Sequence, residues 1–288
     1  MLELEPISDP SDPRLRLFLN LKDRDIRRET GLFLAEGEHV VRRGFAAGLR
    51  VRSVLVVEAK ADRVRQMAVA SPHGPGGVEV LPCRREVIAD AVGFAMHQGI
   101  LAVAEPPPEV PLPDLLAAAK SCRDTPRAVV MFCPEVTNVD NLGLLVRVAA
   151  ALGVRGLVLG PRSADPWYRR AVRVAMGAGF TLPMARVADD HQALRTMHDA
   201  GFTSLATVLD ADAPPLVGPD APPLGDAPVA LLLGSEGYGL PPELAAACAR
   251  RARIPMHHDV DSLNVAVAAG IVVHHLIHAP APSPPGGE

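Results

Sequence analysis

Between residues 128 and 278, short apolar runs alternate with helix-patterned segments, and this alternation leaves the chain few architectures to choose from. The runs are Ala128 to Cys133, Leu157 to Leu159, Ser204 to Val208 and Val229 to Leu233. The helix patterns cover Asn141 to Leu152, Trp167 to Ala178, His191 to Ala200, Pro242 to Arg251 and Ser262 to His278. A strand that is apolar throughout has no face to offer water, so it must be covered on both sides. Helices lying between such strands supply the cover and make the sheet mostly parallel. The expected class is α/β with a doubly wound sheet, and a ligand is expected at the carboxyl ends of its strands. An earlier part follows the same logic: Leu32 to Ala35 leads into a helix pattern over Glu36 to Gly48, then the β-rich runs Val51 to Val57 and Ile100 to Ala104.

Proline marks the boundaries. The stretch Glu105 to Pro113 holds five prolines in nine residues and cannot sustain a central strand, so it reads as a stiff linker. The division expected is a first domain over 1–104, a proline-rich linker over 105–126, a second domain over 127–279 and a disordered tail over 280–288. Asp210 to Pro228 reads as a long surface loop inside the second domain.

Composition narrows the function classes. No uncharged apolar run approaches the roughly 20 residues that cross a bilayer. Met1 to Pro13 carries acids and prolines instead of a secretory signal, so a soluble, cytoplasmic protein is expected. The four cysteines, Cys83, Cys122, Cys133 and Cys248, form no C-x-x-C pair and read as reduced packing residues. Aromatic residues are 3% of the chain, too few for the stacking platforms of common single-strand RNA modules. The net charge of −4 means that any nucleic-acid surface must be local.

Three blocks could carry chemistry. In the first, the helix from Asn141 to Leu152 is apolar nearly all the way round, should be buried, and has Arg147 as its only charge. A buried guanidinium needs an anion or several acceptors, so Arg147 either pairs within the fold, snorkels at a helix edge, or receives a phosphate or carboxylate ligand. Asn141 is placed to cap that helix. The second block, Leu231 to Leu240, is a strand ending in a G-x-x-G-x-G turn that holds Glu236. Its spacing is not the dinucleotide fingerprint, and Pro241 and Pro242 stand before the next helix, which argues against a nicotinamide enzyme. Its glycines either admit a ligand close to the backbone or only form a tight turn. The third block joins Arg253 to Met256 with Ser262, a good helix cap, and Asn264. Its small-residue helix face suits close packing within or between chains.

In this order and separation the blocks N-V-D-N-L-G-x3-R, L-L-L-G-S-E-G-x-G-L and I-P-M-x5-S-L-N-V-A-V-A resemble the SpoU, or TrmH, branch of the SPOUT methyltransferases. Residues 14–104, through Phe33 to Gly37 and His97 to Gly99, also resemble the ribosomal-protein-like substrate-binding domain of many members. The resemblance implies methylation of a ribose 2′-hydroxyl in ribosomal or transfer RNA, with S-adenosylmethionine as cofactor. It further implies a trefoil knot in the mostly parallel sheet, and a homodimer in which Arg147 of one subunit serves the site of the other. The implied catalytic residues are Arg147, Asn141, Glu236, Ser262 and Asn264. Cofactor contacts fall on Thr207, Gly234, Ile254, Met256 and Leu263. Two departures stand out: the family commonly has proline where Val139 stands, and often serine where Ala175 stands, which removes a hydroxyl near the RNA side.

RNA also needs positive surface. Residues 14–28 carry six basic residues against Asp23 and Asp25, and residues 162–173 carry four arginines against Asp165. Arg24, Arg27, Arg28, Arg169, Arg170 and Arg173 are the expected RNA contacts. A metal is not expected: His274 and His278 lie four apart, and His257 and His258 are adjacent, but no partner motif accompanies either pair. The rival reading is a protein of the same fold that binds RNA without turnover.

Overall fold

The computed structural model describes residues 5–19, 23–74, 77–93, 98–122, 124–235, 237–258 and 260–278, excepting the side chains of 23–25. Glu236, His97, the expected tail 280–288 and the side chain of Arg24 lie outside the described residues. The first elements are α1 (Asp23–Thr30), β1 (Phe33–Glu36), α2 (Glu38–Ala46), β2 (Val51–Val57), α3 (Ala61–Val69), β3 (Glu79–Cys83), α4 (Arg85–Val92) and β4 (Ile100–Ala104). There follow α5 (Leu112–Ser121), β5 (Val129–Cys133), α6 (Val139–Leu152), β6 (Gly156–Leu159), α7 (Arg169–Val174), β7 (Met184–Arg186) and α8 (Asp190–Asp199). The chain closes with β8 (Thr203–Thr207), β9 (Val229–Leu232), α9 (Pro242–Ala246), β10 (Arg250–Ala252) and α10 (Val265–His278).

Contacts group residues 1–108 with 165–181 as unit 1, and 109–164 with 182–288 as unit 2. The expected linker over 105–126 is therefore cut short. Pro113 sits in the first turn of α5, where a missing N–H leaves nothing unpaired, and Leu112, Leu115, Leu116 and Ala119 join the core of unit 2. Residues 165–181, expected in the second domain, group with unit 1 because their large side chains find their apolar partners there.

Unit 1 holds a four-stranded mixed sheet in the order β1-β4-β2-β3, with only the β2–β3 pair parallel. Leu34, Leu55, Leu81 and Leu101, one from each strand, meet Ile7, Leu15 and Phe18 in one core. Successive strand residues point to opposite faces, so Phe33 turns away from that core. It packs against Trp167 and Phe180, with ring centroids 5.4 and 5.8 Å away.

Unit 2 holds a six-stranded sheet in the order β10-β8-β9-β5-β6-β7, parallel at every pairing. In register, Met131 of β5 lies between Leu157 of β6 and Leu231 of β9, and all three are fully buried. Helices α5, α8 and α9 bury Leu116, Met197 and Leu244 against one face of the sheet. Helices α6 and α10 pack on each other and on β6 and β5. The doubly wound arrangement follows from strands that expose neither face.

Several element ends differ from expectation for local reasons. The helix pattern over Pro242 to Arg251 breaks after Ala246, and Arg250 to Ala252 becomes an edge strand parallel to β8. Two exposed arginines at that edge guard it against pairing with other chains. The helix expected from Trp167 to Ala178 is only α7, since Met176 and Gly177 adopt left-handed backbone at φ of 55° and 73°. The loop between β8 and β9 is long, as expected. Its first half is tied down by Leu216 N–H donating to Arg253 O at 2.8 Å and Arg253 N–H donating to Pro214 O at 3.0 Å.

Candidate cofactor cleft and active site

Three neighbouring strands end at one place. Thr207 closes β8, Leu233 and Gly234 follow β9, and Ile254 and Met256 follow β10; with Ser262 and Leu263 from the approach to α10 they line one open cleft. Its place at strand carboxyl ends is where parallel sheets receive a ligand. The five residues expected at a cofactor therefore share one cleft, together with Ser262. No charged side chain lines it among the described residues, so its polarity comes from main chain and a few hydroxyls. One of these is already engaged: Thr207 Oγ1 donates to Leu232 O at 3.0 Å.

The glycine turn is closed on itself. Ser235 N–H donates to Gly239 O at 3.1 Å, and Gly239 N–H donates back to Ser235 O at 3.0 Å. A Cβ at Gly234 would lie 2.1 Å from the Gly239 carbonyl carbon, so residue 234 must be glycine because the turn folds back over it. Gly239 is needed for its left-handed φ of 67°. Gly237 has open space where a Cβ would go. The tight-turn reading of these glycines thus accounts for two of them without a ligand.

The cap of α6 is Asn138, not Asn141: its side chain accepts from the N–H groups of Asp140 and Asn141 at 2.9 and 3.2 Å. Helix α10 likewise begins after Asn264 and not at Ser262, with Asn264 Oδ1 accepting from Ala266 N–H at 2.9 Å. That bond fixes the amide, because only the oxygen can accept. Asn264 Nδ2 is then free to donate, and it does so to Asn141 Oδ1 at 2.8 Å. Asn141 is left buried in the first turn of α6, with its own N–H₂ group still available. One amide therefore caps a helix and joins the first and third blocks. Asn138 was legible as an asparagine directly before a helix; the Asn141–Asn264 bond spans 123 residues and had no local signal.

Arg147 corrects the expectation of a buried charge. It lies six residues beyond Asn141, about 240° round the helix, and stands exposed while Asn141, Leu142, Leu145, Val146 and Ala149 are buried. Among the described residues no hydrogen bond or ion pair holds it, and it does not line the cleft of its own chain. Beside it, α10 exposes Val267 and Ile271, which are 52% and 42% accessible.

The arginines expected at RNA are mostly held inside unit 1. Glu36, 3% exposed, takes Arg169 at 2.5 Å and Arg173 at 4.0 Å. Arg27 Nε donates to Asp165 Oδ2 at 3.0 Å. Arg28 lies 3.8 Å from Glu29 with both side chains exposed, and Arg170 is also engaged. Ala175 is buried, so a serine in its place would not reach the surface. Arg16 and Arg50 were not singled out as contacts, yet they are exposed and their side chains have no partner among the described residues. Arg16 was legible only as part of a basic cluster; nothing local sets Arg50 apart.

Burial pushes the thiols of Cys83 and Cys248 up to about 11 and that of Cys133 to about 12, so these three remain protonated packing groups. Among the described residues no group of three or more His, Cys, Asp or Glu side chains is placed to hold a metal ion. No helix is long and apolar enough to cross a membrane, again among the described residues.

Residues 128–274 match the model of the SpoU rRNA methylase family, and residues 12–102 match an MRM3-like substrate binding domain. A Mycobacterium bovis protein named as an uncharacterized tRNA/rRNA methyltransferase is 34% identical over 280 residues, which is 95% of this chain and 91% of that one. An AdoMet-bound rRNA methyltransferase from Sinorhizobium meliloti is 28% identical with a TM-score of 0.75, covering 94% of this chain and 97% of its own. The SpoU methyltransferase AviRb from Streptomyces viridochromogenes, at 23% identity, shares the fold with a TM-score of 0.71 over 92% and 97% of the two chains. The parallel sheet with its strand-end cleft, following a smaller mixed-sheet unit, is the SPOUT methyltransferase fold with an N-terminal substrate-binding domain. The chain belongs to the SpoU family of RNA methyltransferases, which use S-adenosylmethionine.

Proposed function

We propose that this protein methylates a ribose 2′-hydroxyl in a structured ribosomal or transfer RNA in the cytoplasm, as a homodimer whose catalytic domain carries the trefoil knot of its family. The observation that carries the reading is the convergence of Thr207, Gly234, Ile254, Met256, Ser262 and Leu263 on one cleft from separate stretches of chain. The cleft fits the cofactor in its largely apolar walls, which bear no charged side chain among the described residues. Main chain around Gly234, Ile254, Met256 and Leu263, with Thr207, would hold it. When bound, S-adenosylmethionine supplies a methyl group on a positively charged sulfur that leaves readily.

The chain's own task is to position the ribose and manage one proton. A sugar hydroxyl is a weak nucleophile, so its developing negative charge must be stabilised as its proton departs. A guanidinium donates and does not accept, which gives Arg147 the role of holding the 2′-oxygen and the neighbouring phosphate in one fork. The proton leaves to a phosphate oxygen or to water. Asn141 and Asn264 set the join between α6 and α10, Ser262 offers a hydroxyl at the cleft, and Glu236 orients the target nucleotide or its loop. Arg147 is exposed, has no partner among the described residues and does not line its own cleft, which supports service to a second subunit's site. The exposed Val267 and Ile271 on the adjoining helix support the same pairing. On unit 1, Arg16 and Arg50, exposed and without a side-chain partner among the described residues, are cations that can meet phosphate.

The test uses the full chain, labelled S-adenosylmethionine, and RNA from cells lacking the protein, digested to nucleosides after reaction. The expected product is a 2′-O-methylated nucleoside. Arg147→Ala is expected to lose transfer while cofactor affinity in calorimetry stays within twofold. Mixing it with a Gly234→Val protein, which has an intact arginine and a spoiled cleft, should restore part of the activity. A base-methylated product would overturn the ribose assignment, and absence of complementation would overturn service across the dimer.

A further inference from the structure

Tyr238 is 98% exposed, and every other described aromatic ring is buried or half-buried. In a chain with ten aromatic residues, one left wholly in water beside a ligand cleft has no role in packing. The turn that bears it is tied at both feet. It is closed by the two hydrogen bonds between Ser235 and Gly239, and the absence of a Cβ at Gly234 lets Gly239 and Leu240 lock down over the strand end. The two feet of the turn, Ser235 and Gly239, line the cleft, while Tyr238 at its apex does not. Leu209, 62% exposed, lines the same cleft from the loop after β8.

We propose that Tyr238 is a positioning residue for the RNA, its ring stacking on the nucleobase of the target nucleotide or of a direct neighbour. This rests on the methyltransferase reading and deepens it. The ring does not line the cleft, but it is carried in solvent by the same turn whose feet, Ser235 and Gly239, do line it. A planar π-face suits a base of any identity, and a turn tied at its feet limits the loop entropy lost on binding. The ring thus selects a base that can be unstacked from its own strand, which directs the enzyme toward loops, bulges or junctions.

The experiment compares Tyr238→Phe, Tyr238→Leu and Tyr238→Ala in the full-length protein, with unmethylated total RNA from a deletion strain as probe. Stacking predicts that Phe keeps the KM for RNA within twofold. Leu and Ala should raise it about tenfold or more, while cofactor affinity and sedimentation mass stay unchanged. An unchanged KM for Ala overturns the proposal, and so does rescue by Leu equal to that by Phe, since apolar packing alone would then suffice. A lower oligomeric mass for Ala also overturns it, by placing Tyr238 at a contact between copies of the chain. Failure here is separable from failure of the functional reading: the latter requires that the unaltered protein itself transfers no methyl group.

Discussion

The cleft of unit 2 is built from strand ends and bears no charged side chain among the described residues, whereas the arginine-rich stretches of unit 1 are largely neutralised by acids of the same unit. Both regions stood out in the sequence. The cleft residues lie together as the family resemblance implied, because strand ends in a parallel sheet are brought side by side by burial. The arginines looked like a phosphate-binding surface, and several serve as internal ties instead. Apolar pattern specifies place; charge specifies role only once its partner is known.

The sharpest way to break the comparison is at Gly234. Gly234→Val drives a side chain into the Gly239 main chain and should destabilise unit 2 by about 3 kcal/mol, with loss of cofactor binding in calorimetry. Gly237→Ala, in open space, should do neither. A Gly234→Val protein that binds S-adenosylmethionine normally would show that the turn does not define the cleft.

Next comes the buried acid of unit 1. Glu36→Ala leaves Arg169 without its carboxylate and should cost about 2 kcal/mol in urea unfolding, with transfer chemistry retained at low temperature. A change under about 0.5 kcal/mol would show that the Glu36 carboxylate is not what holds Arg169 and Arg173. At the join of α6 and α10, Asn264→Ser keeps a competent cap but loses the donor to Asn141. Stability should hold within about 0.5 kcal/mol while turnover falls about tenfold. Equal turnover would reduce Asn264 to a cap. The smallest effect is expected at the partnerless arginines. Arg16→Ala and Arg50→Ala should leave the melting temperature alone, and each should lower the slope of log affinity against log salt for RNA by about 0.7 to 0.9. An unaltered slope would place the RNA elsewhere on unit 1.

Much of unit 2 was legible because its strands are apolar runs and its helices carry the 3.6-residue period. Val129–Cys133, Val229–Leu232 and α6 fall within two residues of their expected ends. The misses share a cause. Helix α5 hid behind prolines that are tolerated in a first turn, and β10 hid in a helix-prone stretch that gains more by pairing with β8. Within unit 1, β3 and α4 went unread because Pro82 interrupts the strand and Cys83 and Arg84 blur its end.

From the amino-acid order alone came the α/β class and the three blocks that resemble the family, since these depend on local periodicity and motif spacing; the set of residues round the cleft came through that resemblance. Tertiary structure decided that Arg147 faces outward, that Asn264 holds Asn141, and that Arg27 and Arg169 are bound to Asp165 and Glu36, residues 138 and 133 positions away. The reason is range. Hydrophobic burial is fixed by neighbours a few residues apart, but a charge or an amide takes its meaning from whichever partner the folded chain brings within hydrogen-bonding distance.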